Sequence, residues 1–186
     1  MRVPKKRILI TGAQGTGKTT LLNAWVKRNP KWRGLPEVAR LAKEAGLPLD
    51  QGASMATQLW ILNQQLCFER HIPAPWVADR GLVDVWVYAK VLKLQQKDID
   101  HLERQIRQYW KYSFTVLLPP EFAIIPDGVR STDIDFQNQL HNTYLEFFDT
   151  HDVLVYELTG SVEDRLTGLQ EKLKLYDIFS NIRSGH

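Results

Sequence analysis

The chain has 186 residues, 44% of them hydrophobic and 24% charged, with a formal net charge of +3. That length fits about one domain, and the proportions are those of a soluble globular protein rather than a disordered or fibrous chain. The single cysteine, Cys67, excludes an intrachain disulfide and argues against a cysteine-based zinc centre. The amphipathic segment around it predicts a buried structural thiol. No apolar run approaches the roughly 18 residues needed to span a bilayer, and nothing resembles a signal peptide, so a cytoplasmic location is expected. The slight positive balance suits phosphate ligands. It does not argue for nucleic acid unless the charge clusters on one face; Lys5, Lys6 and Arg7 read as a solvated strand flank.

RILIT, residues 7–11, reads as a short buried strand that runs into Gly12. Leu21, Leu22, Trp25 and Val26 then recur at helical spacing, and Asn29-Pro30 closes that helix. WRGLPE is a weak second strand, followed by a short helix through Ala42, and GLPLDQG is a loop. Ser54 starts a long helix whose predicted stripe is Met55, Leu59, Leu62 and Leu66; it stops before Pro73 and Pro75. WVAD, residues 76–79, is a brief buried strand, and Gly81 leads into the apolar helix LVDVWVYAKVLKL. Asp98 is expected to cap the next helix, which carries Ile99, Leu102, Ile106 and Tyr109 on one side. SFTVLLPP is the clearest later strand, stopped by Pro119-Pro120. PDGVRSTD leads to a helix bearing Phe136, Leu140, Tyr144 and Phe147, and Ser131-Thr132-Asp133 also reads as its cap. VLVYEL is the last strand, and Val162, Leu166, Leu169 and Leu173 mark the last helix.

Strands alternate with helices about five times, which predicts an α/β fold. Parallel strands need long crossovers, so the helices should cover both faces of a parallel sheet. No repeat, low-complexity tract or linker composition interrupts residues 1–186, and one domain is expected.

Gly12-Ala13-Gln14-Gly15-Thr16-Gly17-Lys18-Thr19, followed by Thr20, matches the phosphate-binding loop G-x-x-x-x-G-K-T between a strand and a helix. Glycines at 12, 15 and 17 remove side chains, so successive backbone N–H groups can converge on phosphate oxygens. The helix that follows adds its positive end. Lys18 would reach the β- and γ-phosphates of ATP or GTP, and the Thr19 hydroxyl would ligate Mg²⁺. The chain has no N-K-x-D motif, no L-S-G-G-Q signature, and too few residues after its last strand for the helical lid domain of an AAA+ motor. Compact kinases and simple NTPases remain.

Asp79 ends a predicted strand, where ligands of open parallel sheets gather, so it can hold Mg²⁺ or cap the helix after Gly81. Arg80 can touch the transferring phosphoryl group or pair with a carboxylate. Glu37, after the weak second strand, would face the γ-phosphate from the acceptor side if that strand lies beside the first. There it would act as the general base toward a substrate hydroxyl, or serve as a first-turn helix glutamate. Arg40 lies one turn later and is a candidate for substrate or phosphate contact. IIPDGVRSTD sits where compact kinases carry a lid, about residues 121–133. Arg130 is the only cation of that loop and would stabilise transferred charge, unless it is an ordinary exposed arginine. Asp127 would tie the loop or bind substrate. His71, His101, His141, His151 and His186 show no metal-ligand spacing; Trp60 and Trp86 are the candidates to stack a nucleobase, against the commoner use of tryptophan as core.

TGAQGTGKTTL, PEVAR, VADRGLVDVWVYA, LLPPEF, DGVRSTD and LTGSVEDRL occur in this order. Together they resemble the AAA-domain family related to the nicotinamide riboside kinase module of NadR, over about residues 7–168. The resemblance implies a P-loop kinase fold with sheet order 2-3-1-4-5, ATP or GTP with Mg²⁺, and a nucleoside-like acceptor. It places Lys18 and Thr19 on the phosphate loop, Glu37 and Arg40 on an E-x-A-R element, and Asp79 and Arg80 on a D-R-S element in which Gly81 replaces the serine. Arg130 falls on the lid arginine, and Gly160, Ser161 and Arg165 on the segment that borders the nucleotide base. No segment resembles NadR's adenylyltransferase or DNA-binding modules. The expected function is therefore a Mg-dependent kinase acting on a nucleoside-like hydroxyl. A nucleotide-dependent binding or switch module and a polynucleotide 5′-hydroxyl kinase are the alternatives. Nucleic acid is not the favoured partner, and a homodimer stays open.

Overall fold

In the computed structural model, which describes residues 6–121 and 133–184, five short runs form the strands of one parallel sheet. These are β1 (Arg7–Thr11), β2 (Arg33–Leu35), β3 (Trp76–Asp79), β4 (Phe114–Leu117) and β5 (Val155–Glu157), in the order β2-β3-β1-β4-β5. β1, β3 and β4 are almost wholly buried, as strands covered on both faces must be. Register pairs Ile10 with Asp79 on one side and with Val116 on the other, so the three central strands end level with one another. β2 pairs with β3 and not with β1. Glu37 is thus one strand further from the phosphate loop than direct pairing with β1 would place it.

The helices are α1 (Lys18–Arg28), α2 (Val38–Glu44), α3 (Met55–His71), α4 (Leu82–Val91), α5 (Gln96–Tyr109), α6 (Ile134–Thr150) and α7 (Val162–Ser184). One apolar cluster joins Leu21, Leu22 and Trp25 of α1 to Leu166, Leu169 and Leu173 of α7 beneath Ile8, Ile10 and Val116. A larger cluster lies on the opposite face and takes in α4, α5 and α6. α4 is its centre, with Leu82, Val83, Val85, Trp86, Val87 and Ala89 all buried. Such a helix reads as apolar almost all round because it is enclosed almost all round.

Four expectations change. α3 buries only part of its expected stripe: Leu62 is buried and Met55 and Leu66 pack partly against the core, but Leu59 is exposed and Thr57, Gln58, Gln65 and Glu69 face inward. Polar side chains can occupy that face because Gln65 and Glu69 find partners there. Cys67, on the outer face of the same helix, is consequently exposed rather than buried. α5 begins at Gln96, so Asp98 lies in its first turn instead of capping it, where its charge still opposes the helix dipole favourably. Trp86 packs edge-on against Phe147 with ring centres 5.0 Å apart and belongs to the core. The caps expected at Ser54 and Asp133 are present, each accepting a backbone N–H three residues on.

Candidate active site

β1 delivers the chain into the phosphate loop, and α1 begins at Lys18 with Gly17 as its left-handed N-cap. Gly12 has φ 136, and a Cβ there would stand 2.5 Å from the Leu118 carbonyl oxygen, so no other residue fits. Lys18 is buried, and its Nζ folds over the loop to donate to the Ala13 carbonyl at 2.5 Å and to Thr16 Oγ1 at 3.3 Å. Two distant helices pin the loop from outside. Gln137 of α6 donates to the Gln14 carbonyl at 2.7 Å, and Arg165 of α7 to the Thr16 carbonyl at 2.6 Å. The Gln14 side chain is buried with no hydrogen-bond partner among the described residues, while Thr20 is exposed.

Thr19 Oγ1 donates to Asp79 Oδ2 at 2.5 Å, joining the first turn of α1 to the end of β3. Asp79 Oδ1 is buried and receives no hydrogen bond from the described residues. Burial raises the Asp79 pKa, and the neighbouring Glu37 carboxylate raises it further; Lys18, the Thr19 hydroxyl and Arg80 act the other way. A buried carboxylate oxygen without a donor, beside a threonine hydroxyl and an anion-binding loop, fits a hard divalent cation. Among the described residues no group of three or more His, Cys, Asp or Glu side chains forms a closed metal cage. Mg²⁺ needs none, since it keeps several waters and binds through one or two protein groups plus phosphate.

Arg80 is buried in the left-handed region, with φ 72. Its Nε donates to Glu37 Oε1 at 2.7 Å. Nη1 donates to Asp84 Oδ1 at 3.0 Å and approaches the Gly12 carbonyl at 3.4 Å, and Nη2 donates to Tyr88 Oη at 3.2 Å. Burial works against the guanidinium charge, but the oxygens of Tyr88, Glu37, Tyr144 and Asp84 outweigh it and hold the pKa above its ordinary value. Asp84 Oδ1 also accepts from Thr11 Oγ1 at 3.0 Å and from the Tyr144 hydroxyl at 2.6 Å. One cation thus ties the phosphate loop to both carboxylates. Glu37 is the N-cap residue of α2, but its side chain makes no capping bond and turns instead to Arg80, with Arg40 Nε 3.3 Å from its other oxygen.

Beside this group opens a cleft of about 610 Å³, which includes space continuous with solvent. Glu37 and Arg40 lie on one side and Arg80, Asp84 and Tyr88 on another; Leu49, Ala53, Ile61 and Val85 supply apolar wall, and Gln58 and Gln65 reach it from α3. Burial pushes the Tyr88 hydroxyl up to about 12, so it is neutral at physiological pH.

Residues 7–165 match the family model described as an AAA domain. The chain belongs to this AAA-domain family. No curated protein sequence matches it significantly. The fold is similar to that of the NadR protein in complex with NR, with a TM-score of 0.73 and 23% identity. That likeness covers 84% of this chain but 46% of NadR, so the chain spans less than half of that protein. Deoxyadenosine kinase from M. mycoides, with dCMP and dCDP bound, gives 0.66 at 16% identity, covering 90% of this chain and 98% of that one. Thymidylate kinase from Candida albicans gives 0.68 at 14% identity, covering 91% of each. These likenesses show a P-loop kinase fold with the sheet order found here.

Within this AAA-domain chain, Lys18, Thr19, Glu37, Arg40, Asp79 and Arg80 come together around the ends of β1 and β3. Arg130 and Asp127 lie outside the described residues. Arg165 reaches the loop from the side away from Arg80, and its Nη2 donates to Glu121 Oε2 at 2.6 Å. Glu121 also accepts from the Gly160 N–H, while Ser161 exchanges hydrogen bonds with Asp164 at the start of α7. Trp60 and Trp86 are not among the residues lining the cleft, where Tyr88 supplies the aromatic ring. Sequence reasoning missed Asp84, Tyr88, Tyr144, Gln58 and Gln65. Arg80 precedes α4 and Asp84 lies in its first turn, so the two meet across the turn at Gly81 and no helical periodicity announced the pair.

Proposed function

We propose that the chain is a Mg-dependent kinase that transfers the γ-phosphoryl of ATP or GTP to a hydroxyl of a nucleoside-like small molecule, in a single P-loop kinase-like domain. The observation that carries this reading is the Arg80 bridge. It sets the Glu37 carboxylate in the wall of a cleft at the ends of β2 and β3, next to the phosphate loop. The acceptor hydroxyl would give its proton to Glu37 as its oxygen bonds to the γ-phosphorus. The bond from that phosphorus to the β–γ bridging oxygen breaks, and the nucleoside diphosphate leaves. Lys18 and the loop N–H groups neutralise the phosphates, and Thr19 and Asp79 would hold Mg²⁺, which supplies charge stabilisation at the β- and γ-oxygens when bound. Arg80 orients Glu37 and Arg40 stands at the cleft mouth, while Arg130 would stabilise the transferred charge and Asp127 would bind substrate. Gly160, Ser161 and Arg165 border the base of the nucleotide.

Charge argues for the class of acceptor. The described lining has three carboxylates, Glu37, Asp50 and Asp84, against two cations, Arg40 and Arg80. Both cations lie within 3.3 Å of a carboxylate in the same lining. A phosphate-bearing acceptor or a nucleic-acid end would meet net negative charge, whereas a neutral or cationic nucleoside would not. The test is a panel of nucleosides and their 5′-monophosphates with labelled ATP and GTP, scored for phosphorylated product against bare hydrolysis. Product from a nucleoside, lost in Glu37→Gln while nucleotide binding persists, is expected. Hydrolysis alone with every acceptor would favour the switch reading instead.

A further inference from the structure

Two braces of the Arg80–Gly81–Leu82 turn converge on one carboxylate oxygen behind the cleft. Gln65 Nε2 lies 3.4 Å from the Arg80 carbonyl and donates to Glu69 Oε1 at 2.8 Å. The Leu82 N–H donates to Tyr112 Oη at 3.0 Å, and the Tyr112 hydroxyl donates to the same Glu69 Oε1 at 2.6 Å. Trp110 and Trp76 meet the Tyr112 ring edge-on at 4.8 and 6.1 Å and fix where its hydroxyl sits. A Cβ at residue 81 would overlap that hydroxyl, so glycine there is what admits it to the turn.

The turn needs such support. A non-glycine residue in the left-handed region persists only where its surroundings over-determine it. Arg80 is fixed at its own N–H by the Ile10 carbonyl of β1, and Gly81 N–H by Asp84 Oδ2. The carbonyl of Arg80 and the N–H of Leu82 depend on Gln65 and Tyr112. We propose that Glu69 is a positioning residue for phosphoryl transfer: it holds Gln65 and Tyr112 so that the turn keeps the Arg80 guanidinium on Glu37. The consequence for turnover rests on the kinase reading; the brace itself does not.

The role asks for an acceptor oxygen and not for a charge. Glu69 is buried, and that burial raises its pKa to about 6; Tyr112, Gln65 and Arg7 of β1 pull it down and Asp84 of α4 pushes it up. An amide oxygen at the same place accepts both hydrogen bonds, whereas an apolar side chain accepts neither.

The experiment uses the full chain with Glu69→Gln, Glu69→Leu and Tyr112→Phe. Exchange of the Arg80 Nε–H with solvent is followed by nuclear magnetic resonance, with the Leu169 amide on the opposite face of the sheet as reference. Exchange at Arg80 is expected to quicken about tenfold or more in Glu69→Leu and Tyr112→Phe, with Leu169 unchanged and Glu69→Gln like the parent. On a nucleoside that the parent phosphorylates, kcat should fall about tenfold in those two variants while KM for ATP holds within about twofold. Parent-like exchange at Arg80 in both, or equal acceleration at Arg80 and Leu169, overturns the proposal. If the parent phosphorylates no acceptor, the kinase reading fails and the exchange measurement still decides the brace.

Discussion

Arg80 Nε donates to Glu37 Oε1 at 2.7 Å, while Nη1 of the same guanidinium reaches Asp84 Oδ1 at 3.0 Å. All three side chains are less than a tenth exposed. Such an arrangement is costly to break from one side, because removing the cation strands two buried carboxylates. Arg80→Ala is therefore expected to lower stability by about 3–5 kcal/mol in urea unfolding. Arg80→Lys should recover only part of it, since an ammonium cannot present the guanidinium fork to two carboxylates at once.

Asp79 has its pKa raised, chiefly by burial, so the fold disfavours its ionised form. The stabilisation of the protonated form is complete below the unfolded pKa and is lost as pH rises through the folded one. Without divalent cation, Asp79→Asn is expected to raise the melting temperature at pH 7 and to lose that advantage in acid. The same variant should lose the Mg²⁺ dependence of nucleotide binding in titration calorimetry.

Glu69 gives a second pH signature. Its pKa rises from the ordinary 4.5 to about 6, so its contribution to stability is full below 4.5 and is lost as pH rises through about 6. The cost of ionising it in the fold is about 2 kcal/mol at neutral pH. Glu69→Gln should be more stable than the parent at pH 8 by up to about that amount, and should match it at pH 4. Denaturant midpoints across that range measure the difference.

Arg165 connects the start of α7 to the phosphate loop through Thr16 and to Glu121. Its charge-assisted hydrogen bonds are buried or nearly so, and Arg165→Ala should cost about 1.5–3 kcal/mol. The Thr16 end of the loop would lose its outer support, so nucleotide affinity should fall with it. Calorimetric titration with a non-hydrolysable ATP analogue reads that loss separately from stability.

Cys67 is exposed, 3.6 Å from His71 Nδ1 on the same helix face. It should react with a thiol reagent in the native state, at a rate that denaturant does not greatly increase. Cys67→Ser should change stability by no more than about 0.5 kcal/mol, as surface substitutions do.

Much of the donor half of the site was legible because it is local. A strand, a glycine-rich turn, Lys18 and Thr19 follow one another within residues 7–19, and the loop's chemistry depends on that order alone. Asp79 could be placed beside it because a strand end fixes where its carboxylate emerges. The acceptor half was less legible. Gln58, Gln65 and Glu69 are polar residues in a helix that packs Met55, Leu62 and Leu66 against the core, and hydrophobic periodicity alone does not show that polar neighbours are buried beside them. Gln65 and Glu69 are satisfied there by Arg80 and Tyr112, 15 and 43 residues away in the chain and adjacent in space.

The sequence by itself determined the alternation of strands and helices, the phosphate loop, and the carboxylate and arginine at the end of the third strand. Local chemistry suffices for these, since backbone conformation, apolar periodicity and side-chain type act within a few residues. The tertiary structure decided what Arg80 does. With β3 between β2 and β1, the residue that follows β3 lies between Glu37 and the phosphate loop. Burial in that position commits its guanidinium to two carboxylates, because a buried charge is tolerated only where it is paired.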